Sequence, residues 1–215
     1  MIGMSLIENK PDRERLSITL GAKFAFTAWM VIWTVVVWQA QGPQNFWWLC
    51  NVAQFVLLIG LWANSRLLIS SQASTVVVVG AVWAPDVLLG LVLGDSPTGM
   101  TAYMFDPRFS LTQRAASLYH MAVPIFVVWL CWRYGYDRRG VRLQWLIGTA
   151  AVIGGWLVGD EGRNLNYVHA PFGIEQVWLP DWAWLPLLCL LSGLLIYVPG
   201  HLFLRSRLFG GLARQ

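Results

Sequence analysis

Apolar residues fill long runs of this chain, and the polar residues between them come in short clusters marked by glycine, proline or charge. A helix rising about 1.5 Å per residue needs about 20 residues to cross a hydrocarbon layer ~30 Å thick. Six runs meet or approach that length and predict helices over 20–39, 46–63, 67–93, 115–132, 143–158 and 182–204. Gln41-Gly42-Pro43 ends the first and Asn64-Ser65-Arg66 the second, so short loops make these two antiparallel neighbours. The third contains Pro85-Asp86 and is expected as one kinked helix rather than a helix followed by a re-entrant segment. Polar connections over 94–114 and 159–181 flank the fourth and fifth helices. The predicted fold class is all-α: a polytopic bundle of about six transmembrane helices forming one domain over 18–208. A cytoplasmic segment over 1–17 and a cytoplasmic tail over 209–215 flank it.

Composition removes the soluble alternatives. Hydrophobic residues make up 57% of the 215 and charged residues only 12%, against about 25% charged in an ordinary soluble domain. The 14 Trp and 20 Gly suit a bundle whose indoles anchor at the interfaces and whose small residues let helices approach. The 17 residues before the first run mix Glu8, Lys10, Asp12, Arg13, Glu14 and Arg15, and no small-residue cleavage site follows, so an uncleaved first helix is expected.

Charge adds an orientation. With the first segment inside, the cytoplasmic pieces hold twelve of the Lys and Arg residues and the opposite face only Arg108, Arg114 and Arg163. Cytoplasmic loops are enriched in these residues, so both ends are expected in the cytoplasm, in a bacterial inner membrane. The net charge of +4 is spread between apolar runs and forms no patch for nucleic acid. Trp38, Trp47, Trp48, Trp178, Trp182 and Trp184 would form an outer belt, and Trp62, Trp132 and Trp145 an inner one.

Orientation gathers candidate chemistry on one side. Polar groups inside a membrane are costly and therefore suggest function. Cys50, Asn51 and Gln54 fall in the outer half of the second helix, Asp86 in the outer third of the third, and Ser117, Tyr119 and His120 within two turns of the outer end of the fourth. The loop after the fifth adds Asp160, Glu161, Arg163, Asn164, Asn166 and His169, followed by Pro171 and Gly173. An outward-facing polar pocket is the expectation. Acyl transfer needs a nucleophile, a base and oxyanion donors. Cys50, His120 and Asn51 could fill these roles, with Asp86 or Asp160 orienting the imidazole, and Gln54, Tyr119, Asn164, Asn166 and His169 as substrate contacts. Simpler accounts stand beside these. Cys50 is an ordinary packing residue, Asp86 can satisfy donors freed by the kink, and Asn164 and Asn166 are common turn residues. Cys50, Cys131 and Cys189 lack metal-ligand spacing, and no glycine-rich nucleotide motif occurs, so neither a metal nor a cofactor is expected.

Four segments carry a resemblance: Tyr103-Met104-Phe105-Asp106, Ser117-Leu118-Tyr119-His120, Tyr134-Gly135-Tyr136-Asp137-Arg138-Arg139 and Asn164-Leu165-Asn166-Tyr167-Val168. Together they resemble an uncharacterised family of bacterial multipass membrane proteins, over about 46–204. More distantly, Leu49-Cys50-Asn51 followed by His120 looks like the YwaF-like membrane proteins, whose relatives include a lipid acyltransferase using Cys and His. The androgen-induced-gene lipid hydrolases, which use Thr and His, are similar in architecture, and Thr34 is the matching threonine candidate. The YwaF-like pattern carries a His shortly before its Cys, where this chain has Trp47 and Trp48. The resemblance implies a lipid hydrolase or acyltransferase with membrane lipids as partners. The alternative is a non-enzymatic lipid-binding, transport or assembly protein, acting as a homo-oligomer or with a membrane-protein partner. A solute pathway would need polar residues at both depths, and the inner half offers chiefly Ser70, Ser71, Gln72 and Ser74, which favours a pocket.

The orientation is testable in a cysteine-free background. A thiol placed by Arg138→Cys should react with a membrane-impermeant maleimide only from the cytoplasmic side, and one placed by Glu161→Cys only from the opposite side. The reverse pattern would invert the topology.

Overall fold

The computed structural model describes residues 18–171 and 174–206. The expected segments over 1–17 and 209–215, and Gly173 of the outer loop, lie outside the described residues. Among those described there is no strand. The helices are α1 (Leu20–Gln41), α2 (Leu49–Trp62), α3 (Arg66–Leu93), α4 (Leu111–Ser117), α5 (Tyr119–Tyr134), α6 (Gly140–Val158), α7 (Asp181–Ser192) and α8 (Val198–Leu204). α4 runs into α5 through Leu118, and a π-helical turn, Gly193–Tyr197, joins α7 to α8. Five continuous helical stretches, Leu20–Gln41, Arg66–Leu93, Leu111–Tyr134, Gly140–Val158 and Asp181–Leu204, are long and apolar enough to cross a membrane. The chain is a helical polytopic membrane protein.

The second predicted helix is shorter than the run of apolar residues that suggested it. Its first residues form a separate 3-10 turn, Pro43–Trp47, and α2 itself has 14 residues. At about 1.5 Å per residue it reaches ~21 Å, less than the hydrocarbon thickness. Trp48, extended at φ −56° and ψ 132°, breaks the run. Periodicity cannot register such a break, because the residues on both sides of it are apolar.

α3 is the axis. It continues through Pro85 as one 28-residue helix, with α2, α5, α6 and α8 packed around it. Every residue from Ile69 to Val76 is buried, including Ser70, Ser71, Gln72, Ser74 and Thr75. Ser65 caps the helix by accepting from Leu68 N–H at 3.3 Å, and Gly94, left-handed at φ +87°, ends it. The apolar core lies between α1, α2, α3 and α5, around Trp33, whose ring meets those of Phe46, Phe55 and Tyr119.

Lipid tails are as apolar as leucine side chains, so helices in a membrane associate through close packing and internal hydrogen bonds. Glycine supplies the packing here. Gly140 of α6 rests on the backbone of Ser70 and Ser71, and Gly200 of α8 on the backbone of Ser74, so a methyl group at either would collide with α3. Gly148 of α6 faces the Tyr197 ring in the same way. The α5–α6 turn is fastened to α3 by Asp137 N–H donating to Ser70 Oγ at 2.8 Å. The Arg139 guanidinium holds the Asp137 carboxyl below the usual carboxylate range. That contribution is present above the ordinary carboxyl pKa and is lost as pH falls through the depressed value.

The tryptophan belts need one correction. Trp38, Trp178 and Trp182 are well exposed outward of the bundle, whereas Trp184 is buried, donating from Nε1 to Val168 O at 2.8 Å. It clamps a loop instead of floating at the interface.

Thermal unfolding in detergent should separate the two kinds of glycine. Gly200→Ala is expected to cost about 1–3 kcal/mol through overpacking against α3. Gly21→Ala, with open space around it, should be neutral or stabilising by up to ~1 kcal/mol.

Candidate functional site

The start of α2 is where distant segments meet. Asn164, Asn166 and Tyr167 all have left-handed backbones, at φ +43°, +54° and +62°. Asparagine tolerates this region far better than most residues, which explains two asparagines in this loop; Tyr167 is the bulky exception, its ring set edge-on against Trp48. The twist aims the Asn166 carboxamide at the backbone of two helices. Its Oδ1 accepts from Leu49 N–H at 2.8 Å, and its Nδ2 donates to Trp47 O at 2.8 Å and Ala151 O at 3.0 Å. One side chain therefore caps α2 from 117 residues away. Asn164 organises its own loop, accepting from His169 and Ala170 N–H and donating to Ala170 O.

Below this cap lies a small cleft lined by Cys50, Thr75, Tyr119, His120 and the apolar side chains of Val76, Val79, Val123 and Pro124. Cys50 and His120, which sequence reasoning set as nucleophile and base, thus share one cavity, with room for a water-sized group. His120 is held between two rings, Trp83 at 5.0 Å and Tyr119 at 4.0 Å. Its Nδ1 lies 2.9 Å from Ser117 O. A carbonyl can only accept, so Nδ1 carries the proton and Nε2 the lone pair. Tyr119 donates to Asn51 Oδ1 at 2.6 Å, and Asn51 Nδ2 donates to Asn45 O at 2.7 Å. Cys50 Sγ lies 3.8 Å from the same Asn51 oxygen.

The other predicted residues take up separate positions. Asp86 is buried, yet it does not orient the imidazole. Its oxygens accept from Ser96 Oγ at 2.6 Å, Thr98 N–H at 3.0 Å, Thr101 N–H at 3.2 Å and the Thr101 hydroxyl. This carboxylate folds the 96–101 segment back over the C-terminal end of α3. Gln54 Oε1 accepts from Trp29 Nε1 at 2.8 Å. Asp160 is exposed and shapes a turn with Arg163, whose Nη1 donates to Gln41 O at the end of α1. His169 sits in the Asn164 loop with its Nε2 buried and unpaired. Among the described residues, Asn51, Asp86, Asn164 and Asn166 are thus engaged by groups of the fold, and Gln54 by the Trp29 indole. Thr75 was missed as a cleft residue. Its position three residues after Gln72, on the most polar stretch of α3, was the available signal.

No protein-family model, curated protein or solved structure matches this chain. The site therefore rests on its own geometry. Among the described residues no group of three or more His, Cys, Asp or Glu side chains converges. The loop between α3 and α4 carries the Asp106 to Arg108 ion pair, which lowers the Asp106 carboxyl from its ordinary value, and burial raises the Tyr103 phenol.

Asp86→Ala would strand the two donors of buried Thr101, at about 1–3 kcal/mol for each buried group left unpaired, and release Ser96 and Thr98 from the helix end. Hydrogen exchange should speed up across residues 96–101, with α3 below Pro85 unchanged. Unaltered loop exchange would show that the carboxylate does not hold this segment.

Proposed function

We propose that the chain resides in a bacterial inner membrane with both ends in the cytoplasm and acts there on an acyl group of a membrane lipid. The observation that carries this reading is the shared cleft of Cys50 and His120, with the imidazole Nε2 free to accept a proton. His120 takes the thiol proton, and the sulfur attacks the acyl carbonyl carbon. The departing alcohol then recovers a proton from the imidazolium, leaving a thioester for water or a second acceptor. Cys50 is the second residue of α2, so the partial positive end of that helix lies beside the charge developing on sulfur. The Thr75 hydroxyl, which has no protein partner, lines the cleft as a donor, and the valines and Pro124 give the cleft an apolar wall. The twelve-to-three distribution of Lys and Arg supports the orientation.

A specific observation favours a second reading, in which the protein binds or assembles with lipid or another membrane protein without chemistry. Asn51, Asp86, Asn164 and Asn166 are all engaged in holding the fold, and the His120 Nδ1 partner is a carbonyl rather than a carboxylate.

Purified protein in lipid vesicles decides between them. His120→Ala and Cys50→Ser should each lower turnover of a labelled phospholipid by at least about a hundredfold, the usual scale for losing a general base, without altering the melting temperature by more than a few degrees. Turnover that survives both substitutions, or none in the parent protein, leaves the binding reading in place.

A further inference from the structure

Six polar atoms without partners lie within about two helical turns of one another along the bundle. They are Gln54 Nε2, Gln72 Oε1, Thr75 Oγ1, Gln144 Nε2, Gln144 Oε1 and the Tyr197 hydroxyl, and each parent residue is no more than 1% exposed. The glycine contacts give the register. Gly140 meets α3 at Ser70 and Ser71, so Gln144, one turn further along the parallel α6, stands level with Ser74 and Thr75. Gly200 meets α3 at Ser74, which sets Tyr197 about one turn outward of that point and against Gly148. On the other side, Gly60 of the antiparallel α2 meets Leu68 and Ile69, which brings Gln54 to the level of Thr75. Gln144 and Tyr197 are close neighbours that do not close a hydrogen bond.

This grouping is not an accident of composition. The nearby serines satisfy themselves, Ser71 donating to Leu68 O at 2.7 Å and Ser74 to Ser71 O at 2.8 Å. Gln72 donates from Nε2 to Ser71 Oγ and leaves its oxygen over. The remaining atoms offer both donors and acceptors in a region with no bulk water, where an unpaired polar group is expensive. A π-helical turn, Gly193–Tyr197, widens the helix at this level, and such turns recur at functional positions.

We propose that Gln72, Thr75, Gln144 and Tyr197 form a buried binding site for ordered water at mid-depth of the bundle, reaching the Cys50 and His120 cleft through Thr75. The chemistry selects water. All four side chains are uncharged, so a bare cation would give up its hydration for no opposite charge. A water molecule needs two to four polar partners of mixed type, and this layer supplies carboxamide oxygens, a carboxamide N–H and two hydroxyls. Thr75 belongs to both the layer and the cleft, so the layer brings water beside Cys50 and His120. The inference stands whether or not the cleft performs chemistry.

Radiolytic hydroxyl-radical labelling of the full chain in nanodiscs, read by mass spectrometry, tests it. Radicals generated from bound water modify buried side chains that touch it. Tyr197 should be oxidised faster than Trp33, although both are 1% exposed and tryptophan is intrinsically at least as reactive. Labelling of Tyr197 no faster than Trp33 would overturn the proposal without any variant. In the double variant Gln72→Leu with Gln144→Leu, the Tyr197 rate should fall at least threefold while the Trp33 rate stays constant, which also reports an intact core. An unchanged Tyr197 rate would remove the glutamines from the site.

Discussion

Hydrocarbon offers no hydrogen-bond partner, so every polar backbone group at membrane depth must be paired by the protein itself. α2 is the element that makes this demand severe. It begins after an irregular 3-10 turn, whose N–H and C=O groups are not paired within a continuous helix. Asn166 meets the demand with one carboxamide that bonds Leu49, Trp47 and Ala151, and Asn51 meets it from below through Asn45 O. The left-handed loop after α6 is thus a consequence of the short helix it caps. The Cys50 position is fixed by the same bonds.

A second constraint runs along α3. Over residues 69–76 this helix is buried on every side and cannot turn a polar face to solvent, so its polar residues there must find partners inside. At the two ends this is solved by direct bonds: Ser70 accepts from the α5–α6 turn, and Asp86 gathers the outer loop. In the middle, glycines bring neighbouring backbones into contact, and the glutamines, Thr75 and Tyr197 are left with surplus donors and acceptors. The structure is tied with polar bonds at both ends and packed by small residues between.

These constraints explain why so many residues with catalytic potential act as fasteners. Asp86 accepts from two hydroxyls and two N–H groups of the segment after α3, so both of its oxygens are engaged there. Asn164 and Asn166 each use donor and acceptor on backbone groups. His120 differs: its Nδ1 is fixed by a carbonyl and its ring by Trp83 and Tyr119, and it lines the same cleft as Cys50.

The long apolar runs alone determined that the chain is an all-helical membrane bundle, because crossing hydrocarbon requires length and hydrophobicity, both of which are additive along a sequence. The twelve-to-three charge distribution is likewise a linear quantity, and it set the side on which Cys50, Asp86 and His120 were sought. Pairing is not linear. That Asp86 binds residues 96–101, that Trp184 turns inward to Val168, and that Asn166 caps a helix 117 residues away are pairings that no sum along the chain contains. Only the tertiary structure decided which polar groups were consumed by the fold and which, in the cleft and in the buried layer beside it, were left over.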